Sequence, residues 1–144
     1  MDGYAISACI DVRWRDVDAL GHVNNAVYFT YMEVARSTYL DKLLGPHQAQ
    51  DIPILLASAR CDFRAQVTHG EQVEVGIRVG SVGNTSFDFE YEMRSCRDGR
   101  LVAQGGSAQV LYDQGAGQKL PVTEEWLDRI EACEGRRPPR RKST

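Results

Sequence analysis

Apolar and polar residues alternate from position 6, with Ile6, Ala8, Ile10, Val12 and Trp14 on one side and Ser7, Cys9, Asp11 and Arg13 on the other. That period of two predicts a half-buried strand. From about Asn25 the period lengthens: Tyr28, Tyr31, Met32, Ala35, Tyr39 and Leu43 fall on one helical face, and Gly45-Pro46 marks a stop. The spacing predicts a helix of about five turns. Asn24 or Asn25 is placed to cap it by accepting from free N–H groups of its first turn. Four further alternating runs follow, namely Leu55 to Phe63, Val73 to Val79, Phe87 to Met93 and Ala108 to Tyr112. Turn residues separate them, and Asp98-Gly99 predicts a hairpin between the last two. Pro121-Val122-Thr123 opens a short helix with Thr123 as N-cap, acidic residues in its first turn, and Trp126 and Ile130 facing the body. Strand, long helix, antiparallel strands and short helix together predict an α+β domain whose sheet curls around the central helix. Open sheet edges in such a domain favour self-association.

Composition narrows the class. A chain of 144 residues with 42% hydrophobic and 26% charged residues fits one soluble domain. Its four cysteines, Cys9, Cys61, Cys96 and Cys133, form no C-x-x-C pair, which disfavours a zinc site and reads as reduced, buried thiols. The N-terminal stretch lacks the pattern of a secretory signal and no apolar run reaches membrane-spanning length, so a cytoplasmic protein without membrane contact is expected. Five of the cations, Arg136, Arg137, Arg140, Arg141 and Lys142, crowd into the last nine residues. Residues 1–135 thus hold 12 basic against 20 acidic side chains, a net charge of −8 that argues against nucleic-acid binding. The expected division is a domain over 1–134 and a basic, disordered tail over 135–144.

The chemistry concentrates between Val12 and Arg36. Asp16 and Asp18 follow the first strand, Gly21 permits a tight turn, and the helix begins shortly afterwards. A carboxylate beside a helix start suits acyl transfer, because free N–H groups and the helix dipole hold a carbonyl oxygen as it becomes an oxyanion. The carboxylate itself either attacks the carbonyl or activates water.

This stretch resembles the signature of hotdog-fold thioesterases of the 4-hydroxybenzoyl-CoA thioesterase type, through Trp14, Asp16, Asp18, Gly21, His22, Asn24, Asn25, Tyr28, Glu33 and Arg36 in order. The resemblance extends over roughly residues 6 to 132. It implies a hotdog fold, an antiparallel sheet of about five strands wrapped around one long helix, acting as an acyl-CoA thioesterase that releases a carboxylic acid and free coenzyme A. It further implies that Asp18 is the catalytic carboxylate and that the oxyanion donor is a backbone N–H at about Asn25. Neither metal nor cofactor is implied, and the subunits are expected to form dimers or tetramers with the active site shared between two of them.

Around that core, His22 is expected to orient or pack the loop, Asp16 and Asn24 to fix it, and Tyr28 to lie near the thioester. Glu33 and Arg36 read as a structural ion pair. Family matches point to Arg60, Arg64, Gly83, Asn84, Thr85 and Ser86 for coenzyme A contacts. The family commonly has a proline three residues after the aromatic of the second long strand, whereas Phe63 is followed by Gln66. Two other readings use the same residues: a thioesterase acting on acyl carrier protein, and a non-catalytic acyl-CoA-binding protein.

Overall fold

A computed structural model describes residues 1–48 and 51–142. Its elements run β1 (Ile6–Asp11), α1 (Val27–Leu44), β2 (Ile54–Phe63), β3 (Gln72–Val82), β4 (Ser86–Ser95), β5 (Leu101–Asp113), β6 (Gln118–Lys119) and α2 (Glu124–Glu134). The expected long helix and antiparallel strands are present, and a sixth, two-residue strand and the short terminal helix complete them. The sheet order is β1-β3-β4-β5-β2, every pair is antiparallel, and β6 pairs with β5. The chain order therefore does not read as a simple meander. β2 crosses to the far side and hydrogen-bonds to β5, where it becomes an edge.

The helical period builds the core as expected. Tyr28, Tyr31, Met32, Ala35, Tyr39, Leu40 and Leu43 are all buried on one face of α1. They meet Val73, Val75, Ile77 and Val79 of β3 and Phe87, Phe89, Tyr91 and Met93 of β4, every one of them buried. Tyr39 and Phe89 pack edge-on with ring centroids 4.9 Å apart. Gly105 of β5 shows how close the layers lie, since a Cβ there would stand 2.4 Å from the Arg60 carbonyl and 3.2 Å from Met32 Cε. Thr123 caps α2 as expected, its Oγ1 accepting from Trp126 N at 3.3 Å.

Several expectations need correction. Trp14 leaves the strand for a single 3₁₀ turn, Trp14–Asp16, and is 75% exposed. The first helix begins one or two residues later than a cap at Asn25 or Asn24 implies: its N-cap is Ala26, and no side chain caps it. In β2 a bulge between Leu56 and Ser58 breaks the alternation, so Leu56 rather than Ala57 shares a face with Ala59, Cys61 and Phe63. Leu55, Leu56 and Phe63 stay exposed, because α1 lies over β1 and β3 and barely reaches this edge. Arg36 donates to the Tyr91 hydroxyl at 3.0 Å instead of pairing with Glu33. That hydroxyl continues into a buried chain through Ser107 and Gln109 to the Phe87 carbonyl. Cys9 and Cys96 are exposed, and Cys61 and Cys133 only partly buried.

The basic tail, as far as it is described, packs against the body. Residues 136–142 run back across the body: Arg136 donates to the Val79 carbonyl and Arg137 spans Glu124, Asp128 and Glu131. Val82 N donates to the Pro139 carbonyl at 3.0 Å and Arg141 N to the Val82 carbonyl at 2.7 Å. The acidic body thus gathers in its own basic end. Residues 143 and 144 of the expected tail lie outside the described residues. Among the described residues no helix is long and apolar enough to cross a membrane.

One buried carboxylate fixes the turn between β2 and β3. Glu71 accepts from Thr68 N at 2.7 Å, Thr68 Oγ1 at 3.0 Å, Ser95 Oγ at 2.7 Å and Arg100 Nη2 at 2.7 Å. Arg100 also donates to the Gln66 carbonyl at 2.7 Å. Burial alone would raise this carboxyl, but the Thr68 N–H, the Ser95 hydroxyl and the Arg100 guanidinium outweigh it and bring it down to about 2. A carboxyl depressed on folding contributes stability that is fully present above its unfolded value and is lost as pH falls toward the folded one. We therefore expect unfolding midpoints to drop between about pH 4.5 and pH 2, with a shallower dependence in Glu71→Gln, which lacks the titrating group. Denaturant titrations of both proteins across that range check it, and parallel pH curves would contradict it.

Candidate active site

Between β1 and α1 the chain is held by backbone pairing rather than by regular structure. Val17 and Val23 form an antiparallel bridge, Asp18 N donates to the His22 carbonyl at 2.9 Å, and Gly21 N donates back to the Asp18 carbonyl at 3.0 Å. Gly21 sits at φ +83, a conformation that side chains with a Cβ rarely adopt. The tight loop is then stitched to the sheet by Val23 N donating to the Val67 carbonyl at 2.8 Å and by a bridge between His22 and Thr68. Thr68 is the residue that Glu71 grips. The Glu71 cluster therefore fixes the wall against which the aspartate loop rests.

Asp16 secures the other side. Its carboxylate, 1% exposed, accepts from Arg13 N at 2.9 Å, Arg13 Nε at 3.1 Å, Arg13 Nη2 at 2.8 Å and the Tyr31 hydroxyl at 2.8 Å. Burial opposes ionisation here, yet the Arg13 guanidinium, the Arg13 N–H and Tyr31 hold the carboxyl below the usual range. The Asp16 carbonyl accepts from Asn24 N at 2.9 Å, and Asn24 Oδ1 accepts from Ala26 N at 2.9 Å. So Asn24 shapes the turn that leads into α1, a capping role displaced to just before the helix.

These restraints leave Asp18 exposed, with one oxygen accepting from Leu20 N at 2.9 Å. It opens on a cleft of about 360 Å³ lined by Asp18, Leu20, His22, Val23, Asn25 and Tyr28 on one side and Phe63, Arg64, Ala65 and Gln66 on the other. Asn25 N has no acceptor among the described residues, and it stands next to the positive end of α1. Tyr28 packs edge-on against Phe63, centroids 5.2 Å apart. Burial pushes its hydroxyl above the ordinary value, assisted by nearby Cys61, so Tyr28 stays neutral at physiological pH.

Of the expected site residues, Asp18, His22, Asn25, Tyr28 and Arg64 come together in this cleft, and Asn24 adjoins it. The others lie elsewhere on the chain. Arg60 points to the opposite face of the sheet, where it lies 3.5 Å from Asp62. Gly83, Asn84 and Thr85 form the β3–β4 loop at the far end of the sheet, and Ser86 opens β4 beside it. Leu20 and Ala65 carry no signal in the sequence, and Phe63 and Gln66 enter it only as the aromatic of the second long strand and the residue in place of the family's proline. Phe63 carried a readable signal as the last aromatic of an edge strand, but its position opposite Tyr28 depends on the β2–β5 pairing. Among the described residues no three of His, Cys, Asp and Glu converge on one point.

A family profile described as the Thioesterase-like superfamily matches residues 12–130. A thioesterase from Thermus thermophilus, solved in complex with coenzyme A and zinc, is 34% identical and superposes with a TM-score of 0.85 over 94% of this chain and 98% of its own. The PA5185 protein of Pseudomonas aeruginosa PAO1 is 28% identical, with a TM-score of 0.78 over 91% and 92% of the two chains. A 1,4-dihydroxy-2-naphthoyl-CoA thioesterase from Synechocystis shares the fold, with a TM-score of 0.76 over 87% and 94% of the two chains at 20% identity. In sequence, the uncharacterised protein YsmA of Bacillus subtilis 168 is 27% identical over 116 residues, 81% of this chain and 78% of YsmA. With its hotdog arrangement of sheet and central helix and a family match across most of its length, the chain belongs to the Thioesterase-like superfamily and is a thioester hydrolase.

Proposed function

We propose that the protein hydrolyses acyl-coenzyme A thioesters, with Asp18 as the reacting carboxylate. The observation that carries this reading is the pairing, within one cleft, of an exposed carboxylate with a backbone N–H at Asn25 that has no acceptor among the described residues. The thioester carbonyl oxygen lies toward Asn25 N and the start of α1, where positive charge stabilises the developing oxyanion. Asp18 either adds to the carbonyl carbon, forming an anhydride that water then opens, or removes a proton from water as it adds. In both routes the C–S bond breaks, the thiolate of coenzyme A leaves and takes up a proton, and the acid carries away one oxygen from water. No cofactor enters this balance. His22 keeps the loop in place through its bridge to Thr68, Tyr28 and Phe63 form the apolar wall beside the thioester, and Arg64 faces the anionic substrate.

The cleft is incomplete in one copy of the chain. β2 is a sheet edge, and Leu55, Leu56 and Phe63 on it, with Phe29 and Val34 on α1, are exposed to between 38% and 51%. A second copy joined edge to edge through β2 would cover them and close the cleft. Sedimentation at micromolar concentration should accordingly give at least twice the chain mass of 16.1 kDa, and a stable, active monomer would contradict this arrangement.

The aspartate assignment has its own test. Asp18→Asn keeps size but removes the charge, and should lower kcat about 10²- to 10⁴-fold against the best substrate of an acyl-CoA panel with KM little changed. Asp16→Asn should act mainly on stability, since that carboxylate is buried and fully engaged. A folded Asp18→Asn enzyme retaining more than about a third of kcat would remove Asp18 from this role and make His22 the next residue to substitute.

A further inference from the structure

The β3–β4 loop and the strand ends beside it contain no cation of their own: residues 81 to 87 read Ser-Val-Gly-Asn-Thr-Ser-Phe. The C-terminal segment supplies them. Arg140 is paired in parallel with Val82, and its Nη1 donates to the Gly83 carbonyl at 3.1 Å while Nη2 donates to the Val122 carbonyl at 3.0 Å. Arg141 Nη2 donates to Ser86 Oγ at 3.0 Å, and its Nη1 to Ser81 Oγ at 2.8 Å and Asp88 Oδ2 at 2.6 Å. Glycine at 83 leaves the guanidinium its room, because a Cβ there would stand 2.5 Å from Arg141 Nη2. Both arginine side chains remain about two-fifths exposed, at 39% and 40%, and exposed Lys142 follows them. Beside them the backbone N–H groups of Asn84 and Thr85 have no acceptor among the described residues.

Two guanidinium groups, two unengaged N–H groups and a serine hydroxyl around one loop are the donor set that a phosphate monoester or diphosphate takes. We propose that Arg140 and Arg141, with the loop Gly83–Ser86, bind the phosphates at the nucleotide end of the acyl-CoA, and that they serve the cleft of a second copy. This rests on the thioesterase reading above. On one copy the two places are far apart: along β5, Phe63 pairs with Ala103 and Ser86 with Val110, a separation of about 23 Å at strand rise. Edge-to-edge pairing through β2 turns the second copy end for end, which brings its loop and tail toward the first copy's Asp18. Asp88 pairs with Arg141, so a phosphate bound there replaces a carboxylate with a more highly charged anion.

The test compares one acyl group on coenzyme A with the same acyl group on N-acetylcysteamine, which has no phosphate. Arg140→Gln/Arg141→Gln should raise KM for the coenzyme A thioester about tenfold at low salt, and the difference from the parent should vanish at about 1 M salt, where the screening length is about 3 Å. KM for the N-acetylcysteamine thioester should change less than twofold, and inhibition by adenosine 3′,5′-bisphosphate should weaken in step with the coenzyme A effect. Asp88→Asn, which frees Arg141, should lower KM for the coenzyme A thioester. Equal changes for both substrates together with a lowered Tm, or no change for either, would overturn the site and leave the tail as a brace. Should the parent protein hydrolyse neither substrate, the thioesterase reading fails separately, and calorimetry with adenosine 3′,5′-bisphosphate still decides: binding lost in the double variant supports the site, and no binding by the parent overturns it.

Discussion

The buried carboxylate of Asp16 is the constraint on which the active-site architecture depends. A carboxylate removed from water is costly unless its oxygens are engaged, and Asp16 meets that demand by drawing donors from two directions. Arg13 supplies three from the chain just after β1, and Tyr31 supplies one from the second turn of α1. Sheet and helix are thereby fixed relative to each other at the point where the chain passes between them. Only with that junction rigid does Asp18, two residues on, have a defined place beside the helix start.

The same cleft is held from the sheet side by a second buried carboxylate. Glu71 organises Thr68 and, through Arg100, Gln66, so the backbone at Val67 is positioned to accept from Val23. Between the two anchors the loop is short, bonded at both ends and turned by a glycine with positive φ. Among the described residues Asp18 accepts only from Leu20 N, so the rest of its carboxylate faces the cleft without a protein donor. The division of labour between neighbouring aspartates follows from surroundings: one is enclosed by donors, the other faces a cleft.

The proposed assembly and the candidate cleft meet at β2. A strand paired on one flank only is an unfinished surface, and its exposed Leu56 and Phe63 lie on the face that also carries the cleft. The C-terminal segment shows the opposite behaviour. Its arginines pair with Glu124, Asp128, Glu131 and Asp88, so a stretch rich in like charges lies against an acidic body whose residues 1–135 carry a net charge of −8.

Local pattern was enough to reveal much of this protein. The period of Tyr28, Tyr31, Met32, Ala35, Tyr39 and Leu43 defined the buried helix face and alternation defined β3 and β4, because each of these signals comes from residues close in sequence, while the proposed role of Asp18 rests on the resemblance carried by the motif from Trp14 to Arg36. What lay beyond the sequence required contacts between distant segments. The pairing of β2 with β5 depends on long-range register, and the bulge after Leu56 reverses which side chains face inward. Placing Phe63 against Tyr28 and separating Gly83–Ser86 from the cleft follow from that register and from the pairing of β4 with β5. The tail is the clearest case: its composition alone reads as solvated charge, and only the fold brings Asp88, Glu124 and the Val82 backbone within reach of its arginines.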